Sequence, residues 1–309
     1  MTDAPLRDAP PWVIAAAGVI RRLPAGRYRA MNLVARWARD PFWARLPSDL
    51  GGIEFRCDLR DALMREACLT GRYEPQETAI LRHVLRPGMT FVDVGANWGY
   101  FTLVGAHLVG PAGRVVSIEA DPRACRTVQS NLDRNGQAHV DLHNVAASDA
   151  VGTLRLHQYE AQAGESGNFG VGRASNPAGG RTFDVAARPL DDVLDEHRLE
   201  RIDLVKMDIE GGEASALKGL DRRLGDGRID RLLLEIHPHE LTQLGSSVDA
   251  VLAHMQHHRY EGWKVDHSRA THAVASSGRV DVRTLLTPLA DRPLGDWPHV
   301  LWLREGVAL

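Results

Sequence analysis

The stretch Thr90-Phe91-Val92-Asp93-Val94 is apolar and β-branched enough to be a buried strand, and it stops abruptly at Gly95-Ala96-Asn97-Trp98-Gly99 before the helical run from Trp98 to Leu108. A strand that turns through two glycines into a helix is the opening unit of an open sheet covered by helices. Glycine suits such a turn because a side chain would hold the backbone away from a ligand, and because the turn can demand positive φ. The free N–H groups at the start of the following helix then face whatever oxygens are bound there.

A dinucleotide site uses the same geometry, with G-x-G-x-x-G after the first strand and an acid about 20 residues further on for the ribose hydroxyls. This chain departs from that pattern. The glycines are spaced Gly95-x-x-x-Gly99, with Asn97 and Tyr100 where the pattern wants glycine. Asp93 precedes the loop, where a carboxylate repels a pyrophosphate and attracts an ammonium or sulfonium group. Glu119, which ends the next apolar run Arg114-Val-Val-Ser-Ile118, stands where the ribose acid is expected. The combination points to a positively charged nucleoside and disfavours a nicotinamide oxidoreductase.

From Thr90 onward strand and helix patterns alternate. Strands are predicted at Thr90 to Val94, Arg114 to Glu119, Val140 to Val145, Ile202 to Met207, Arg231 to Ile236 and His299 to Arg304. One helix is marked at both ends, by Asp121-Pro122 as cap and first turn and by Asn135-Gly136 as stop. Such alternation predicts a mostly parallel, doubly wound α/β sheet with helices on both faces. Before it, Gly51 to Leu59 alternates as a half-buried strand, and a helix is predicted from about Gln76 to Leu85, ended by Pro87-Gly88. The domain division is accordingly an N-terminal extension of helices and short strands over 1–75 and a core domain over 76–309.

The net charge of −3 conceals an asymmetry, since residues 1–48 carry eight arginines against three aspartates. With Trp12, Trp37 and Trp43 in the same segment, this arm suits packing on the main domain, a dimer contact or an anionic membrane surface. No basic face runs through the core domain, which argues against nucleic acid as a partner. The apolar run Trp12 to Ile20 is too short to span a bilayer, which needs about 20 residues. Three cysteines at spacings that fit neither a zinc site nor a disulfide framework suggest buried thiols and a cytoplasmic location. The glycine-rich run 161–181 is expected to be a lid or binding loop, or else disordered.

Open parallel sheets bind ligands at the carboxyl ends of their strands. The polar residues found there are Asp93, Glu119, Ser148-Asp149, Asp208-Ile209-Glu210 and Glu235-Ile236-His237. An acid followed by G-x-x-x-G resembles the first motif of the class I S-adenosylmethionine-dependent methyltransferases. Tyr73-Glu-Pro-Gln-Glu77, Phe91 to Tyr100, Pro189-Leu-Asp-Asp192, Val205 to Glu213 and Leu217-Lys-Gly219 together resemble the FkbM family within that class.

The resemblance implies a Rossmann-like seven-stranded sheet, S-adenosylmethionine as cofactor, and O-methylation of a hydroxyl on a sugar, glycan or secondary metabolite. It also implies that Asp93, Gly95, Ala96, Asn97, Gly99 and Tyr100 hold the methionine half of the cofactor, Glu119 the ribose, and Ser148 and Asp149 the adenine side, with Asp208, which ends the fourth strand, also among the cofactor residues. Alcohols need a base to lose their proton, and His237 is the first candidate, with Asp208 or Glu210 as alternatives or as groups that orient it. Asp208, Glu235 and His237 also have the donor types of a divalent-metal site, although none is required. A protein that keeps the cofactor fold only for assembly is the remaining alternative.

Overall fold

The computed structural model describes residues 6–23, 26–158, 172–173, 181–289, 294–295 and 297–309. The chain begins with helices α1 (Pro11–Ile20) and α2 (Arg27–Trp37), a hairpin of β1 (Phe42–Arg45) and β2 (Glu54–Cys57), and helices α3 (Ala62–Thr70) and α4 (Pro75–Val84). The alternating unit follows as β3 (Thr90–Val94), α5 (Tyr100–Val109), β4 (Arg114–Ile118), α6 (Pro122–Asn135) and β5 (Val140–His143). After it come β6 (Ala146–Ser148), β7 (Gly152–Gln158), β8 (Gly172–Arg173) and β9 (Arg181–Pro189). The remaining elements are α7 (Leu190–Asp195), β10 (Leu204–Met207), α8 (Glu213–Lys218), α9 (Asp221–Gly225), β11 (Arg231–Glu235), α10 (Pro238–Gln243), α11 (Val248–His257), β12 (Tyr260–Val265), α12 (Arg269–Ser276), β13 (Leu286–Pro288) and β14 (His299–Arg304).

The central sheet runs β13-β12-β14-β11-β10-β3-β4-β5, with β11, β10, β3, β4 and β5 parallel and β14 antiparallel to both its neighbours. Among the described residues it has eight strands, one more than the expected seven, because the short β13 adds to the β12 edge. The chain winds from β3 toward β4 and β5 on one side and toward β10 and β11 on the other. A crevice therefore opens between β3 and β10, where open α/β sheets bind ligands.

Period-two alternation decides which side chains reach which layer. Phe91 packs in the cluster that contains helices α4 and α5 and much of the N-terminal segment, while Val92 and Val94 face the opposite cluster with Leu190, Leu217 and Leu241. Val13, Ile20, Met31, Phe42 and Phe55 belong to the same buried cluster as Phe91 and Leu103, so the described part of the N-terminal segment shares a core with the sheet. The outer face of α2 exposes Tyr28, Leu33 and Trp37 beside Arg29 and Arg36. No helix among the described residues is long and apolar enough to cross a membrane, and Cys57, Cys68 and Cys125 are free and buried.

Helix α6 secures the N-terminal hairpin through its own side-chain amides. Asn131 Oδ1 accepts from Arg56 N at 2.7 Å and its Nδ2 donates to the Trp98 carbonyl at 2.9 Å, while Asn135 exchanges bonds of 2.9 and 2.6 Å with the Glu54 backbone. These amides take the place of a neighbouring strand along β2. Asn131 is fully buried, so Asn131→Ala strands an N–H and a carbonyl at once. The expected cost is about 1–3 kcal/mol for each group left unsatisfied, read as a lowered midpoint of chemical denaturation.

Two predicted boundaries move for local reasons. Helix α5 starts at Tyr100 rather than Trp98 because Gly99 is its cap with φ +92°. The strand expected to run from Val140 to Val145 breaks at Asn144, whose Nδ2 donates to the Glu119 and Ala120 carbonyls at 2.9 Å. The chain then enters a separate sheet of order β6-β9-β7-β8. Of the glycine-rich run 161–181, only residues 172–173 and 181 are among the described residues; they pair as backbone with β7.

Candidate active site

A cleft of about 820 Å³, open water at its mouth included, lies at the carboxyl ends of β3, β4 and β10. One wall is the glycine loop, with Val94, Gly95 and Asn97; opposite it stand Asp208, Ile209, Glu210 and Gly212. Ala120, Val145, Ala146, Leu154 and Leu156 form an apolar side, and Glu119 sits between the two. An apolar slot with a few fixed polar groups is what a small-molecule site requires.

The loop is shaped by three left-handed residues, Gly95 (φ +86°), Asn97 (φ +54°) and Gly99 (φ +92°). Gly95 is also a contact point: a Cβ built on it would lie 1.9 Å from the Asp208 carbonyl oxygen. The turns after β3 and β10 therefore touch backbone to backbone. Glu119 braces the same loop, accepting from Asn97 N and Asp121 N, each at 2.7 Å. Burial pushes its carboxyl up to about 7 despite those two bonds, with Asp121 and Asp93 adding to the rise.

Several expected cofactor residues lie behind the cleft rather than on its surface. Asp93 is fully buried on the Phe91 side of β3, accepts from Thr102 Oγ1 at 2.6 Å, and stands in register with Lys206. Burial raises its pKa and Lys206 opposes the rise. Tyr100 is enclosed by Tyr73, Trp98 and Phe101, with its hydroxyl 3.1 Å from Thr78 Oγ1. Ala96 is buried, and Gly99 backs onto Val128 of α6. Ser148 and Asp149 tie the end of β6 to α8 through Ser215, which donates to Asp149 Oδ1 at 2.9 Å. Gly95, Asn97, Glu119 and Asp208 are the expected cofactor residues that line the cleft, and Glu210 joins them.

On the far side of Asp208 is a dense group of charges. Lys206, a lysine within an apolar strand, is almost fully buried and donates from Nζ to Asp208 Oδ2 at 3.1 Å, with Nζ also 4.5 Å from the centre of the Phe101 ring. Its burial disfavours the ammonium, but Asp208, Glu74 and Asp93 outweigh that and raise its pKa. Glu74, pushed up to about 8 by burial, closes this group from the start of α4.

His237 follows β11 and is held by α8: its Nδ1 is 2.7 Å from Glu213 Oε1, which also accepts from Gly211 N at 2.9 Å. Burial opposes the imidazolium, yet the bond to Glu213 and the charge of Asp208 lift its pKa to about 9. Asp208 and His237 thus meet at one strand-end corner, Nε2 to Oδ1 at 3.8 Å, while Glu210 lines the cleft. Sequence reasoning assigned no role to Glu213, Lys206, Glu74 or His299; of these, the lysine inside Leu204-Val-Lys-Met207 was the visible signal, because such a strand interior seldom holds an unpaired charge.

The Methyltransferase FkbM domain profile matches residues 93–261, more than half of the chain. The chain belongs to the FkbM methyltransferase family. The matched domain is an S-adenosylmethionine-dependent methyltransferase domain, and it contains the glycine loop, Glu119, Asp208, Glu213 and His237.

A 31-O-demethyl-FK506 methyltransferase FkbM of Streptomyces tacrolimicus is 30% identical over 184 residues, covering 51% of this chain and 69% of that protein. The AMB antimetabolite synthetase AmbE of Pseudomonas aeruginosa is 28% identical over 214 residues, which is 58% of this chain and 10% of that protein. This FkbM-family chain thus spans only a small part of one of its relatives. Among solved structures, a methyltransferase FkbM from Methylobacillus flagellatus KT is 18% identical, with 94% of this chain and 58% of that chain covered at a TM-score of 0.41. The strand order and the crevice at β3 and β10 carry the fold assignment without it.

Proposed function

We propose that the protein transfers a methyl group from S-adenosylmethionine to a hydroxyl oxygen of a sugar, glycan or secondary metabolite. The observation that carries this reading is the direct contact between two sites. Asp208 lines the cleft on one side and joins the buried charged corner of Lys206, Glu213 and His237 on the other. A hydroxyl resting on Asp208 is therefore beside the cleft. The name of the Streptomyces tacrolimicus relative, with an O-demethyl compound in it, supports oxygen as the target.

The residues fit the cofactor. Glu119 suits the ribose hydroxyls with the lone pairs its two backbone bonds leave over, the apolar side suits an adenine ring, and the absence of a Cβ at Gly95 lets the loop close against the Asp208 carbonyl that forms the neighbouring wall. The cofactor supplies an activated methyl on a sulfonium. In the transfer the acceptor O–H bond breaks, the O–CH3 bond forms, and the C–S bond breaks with its electron pair passing to sulfur. The proton goes to the Asp208 corner. Holding oxygen and methyl in line is worth up to roughly 7–11 kcal/mol in well-oriented systems.

Two measurements test the proposal. Incubation with S-adenosylmethionine labelled in its methyl group and a panel of hydroxylated glycans and metabolites is expected to give label that resists alkali in an ether linkage. Label found on nitrogen, or none in any pool, overturns it. Glu119→Gln is expected to weaken cofactor binding by about 10–100-fold, since bonds to a charged acceptor contribute about 1.5–3 kcal/mol.

The pH dependence has a definite sign. Glu119 is ionised above its raised pKa of about 7, and the carboxylate accepts hydroxyl bonds better than the neutral acid. Cofactor affinity should rise with pH through 7 in the wild type and stay flat there in Glu119→Gln. Calorimetric titration at pH 6 and 8 reads both.

A further inference from the structure

His237 and His299 are built alike. Each is a buried imidazole whose Nδ1 is anchored on a fully buried carboxylate, Glu213 at 2.7 Å for His237 and Glu77 at 2.9 Å for His299. Each presents Nε2 to the same atom, Glu235 Oε1, at 3.5 Å from His237 and 3.4 Å from His299. His237 Nε2 is also 3.8 Å from Asp208 Oδ1. The topology brings these residues together: β10 and β11 are parallel neighbours, Asp208 follows the last residue of β10, Glu235 ends β11, and His299 stands opposite Glu235 in the β11–β14 ladder.

The Nε2 separations are too long for good hydrogen bonds, which run about 2.7–3.2 Å. They are close to the spacing of two donors sharing one ion, since bonds of about 2.0–2.2 Å place co-ligands about 3.0–3.6 Å apart. The donor atoms of Asp208, Glu235 and His237 all lie within 4.8 Å of one another. Their other atoms are already engaged: Nδ1 of His237 by Glu213, and Oδ2 of Asp208 by Lys206 Nζ at 3.1 Å. A carboxylate holding the outer nitrogen of an imidazole is the usual way a protein fixes the tautomer and orientation of a metal-binding histidine.

We propose that Asp208 Oδ1, Glu235 Oε1 and His237 Nε2 bind a divalent cation, with Glu213 as the positioning residue for His237 and His299 packed behind Glu235. One imidazole and two carboxylates suit Mn²⁺, Zn²⁺ or Mg²⁺. The side chains of Asp208 and Glu235 are 22% and 15% exposed, so solvent reaches the donor set, and Asp208 also lines the cleft. Only three protein donors are used, which leaves positions for an acceptor oxygen. On the reading of the cleft as a methyl-transfer site, an acceptor hydroxyl bound to the ion loses its proton more easily and offers the alkoxide to the methyl group. Acceptors with two adjacent hydroxyls, able to chelate, are then favoured over isolated alcohols.

The test uses the full chain, stripped with chelator and dialysed, and Mn²⁺ alone as the probe. Electron paramagnetic resonance titration without cofactor or acceptor is expected to show one bound Mn²⁺ per chain. Glu235→Gln and Asp208→Asn should weaken it at least tenfold, and Glu213→Gln by about 10–100-fold. No stoichiometric binding of Mn²⁺, Zn²⁺ or Mg²⁺ to the folded wild type overturns the proposal, as does binding that Glu235→Gln leaves unchanged. If the variants do not fold, anomalous scattering from a crystal grown with Mn²⁺ decides it by showing the ion between the three residues or elsewhere. S-adenosylhomocysteine binding and labelled transfer, run on the same samples, separate the two readings. Transfer that survives stripping with no Mn²⁺ bound sinks the metal site alone, and Mn²⁺ bound at the site with no transfer to any hydroxyl sinks the methyl-transfer reading alone.

Discussion

Gly95→Ala is expected to lower the stability of the protein on the order of 3 kcal/mol and to weaken cofactor binding at least tenfold. Two costs combine at this position. A left-handed conformation costs a residue with a Cβ about 1–2 kcal/mol, and Gly95 has φ +86°. The second cost is steric and has no easy relief, because the atom that the new Cβ would meet, 1.9 Å away, is the backbone carbonyl oxygen of Asp208 rather than the end of a side chain. Either the loop after β3 or the turn after β10 must retreat, and both are walls of the cleft.

Gly136→Ala is the control. That residue is also left-handed, at φ +63°, but a Cβ there meets nothing within 4 Å, so it should cost only the conformational part. At roughly 2–4 °C per kcal/mol for domains of 150–250 residues, thermal melting should separate the two variants by several degrees. Equal shifts for both would show that the backbone contact between the two turns contributes nothing.

The parts of this architecture legible in the sequence are those whose signal is local. Thr90–Val94 and His299–Arg304 appear with the expected bounds, because strands buried on both faces read as mainly apolar runs. Helix α6 likewise follows from its cap and its glycine stop: Asp121 accepts from Arg123 N and Gly136 takes φ +63°. Strand β12 was not located, since Tyr-Glu-Gly-Trp-Lys-Val has a glycine and two charges in six residues and finds its place only by pairing with β14. The second sheet was hidden for a similar reason, as its register is set by partners across the glycine-rich run.

The site divides in the same way. Glu119, Asp208 and the glycine loop were visible because strand order alone puts them at one edge. The alternation of β3 also carries information that charge reasoning passed over: Asp93 shares a face with Phe91, the face that packs against α5, and so it points away from the cleft side occupied by Val94. The partnership of Glu77 with His299 joins residues far apart in the sequence, and no spacing rule connects them. Glu213 was in view as part of a motif, but its role depends on α8 starting where His237 leaves β11, a tertiary fact.

Asp208→Asn is expected to reduce the rate of methyl transfer by about 10²–10⁴-fold, the usual contribution of a positioned proton acceptor, or about 3–5 kcal/mol of barrier. The substitution keeps the shape of the side chain and removes its charge. Lys206, buried beside it, keeps Glu74, Asp93 and Glu235 as electrostatic partners, so the fold should survive with a modest loss of stability. His237→Gln should lower the rate within the same range, because the imidazole stands 3.8 Å from Asp208 Oδ1 and is aligned by Glu213. If the corner works as a unit, the double variant should be about as slow as the worse single one rather than showing the product of the two losses. Single-turnover transfer to a hydroxyl acceptor, with cofactor affinity measured separately by calorimetry, checks both points. Multiplicative losses would mean that the two residues act independently, and an affinity loss as large as the rate loss would place Asp208 with the cofactor instead of the acceptor.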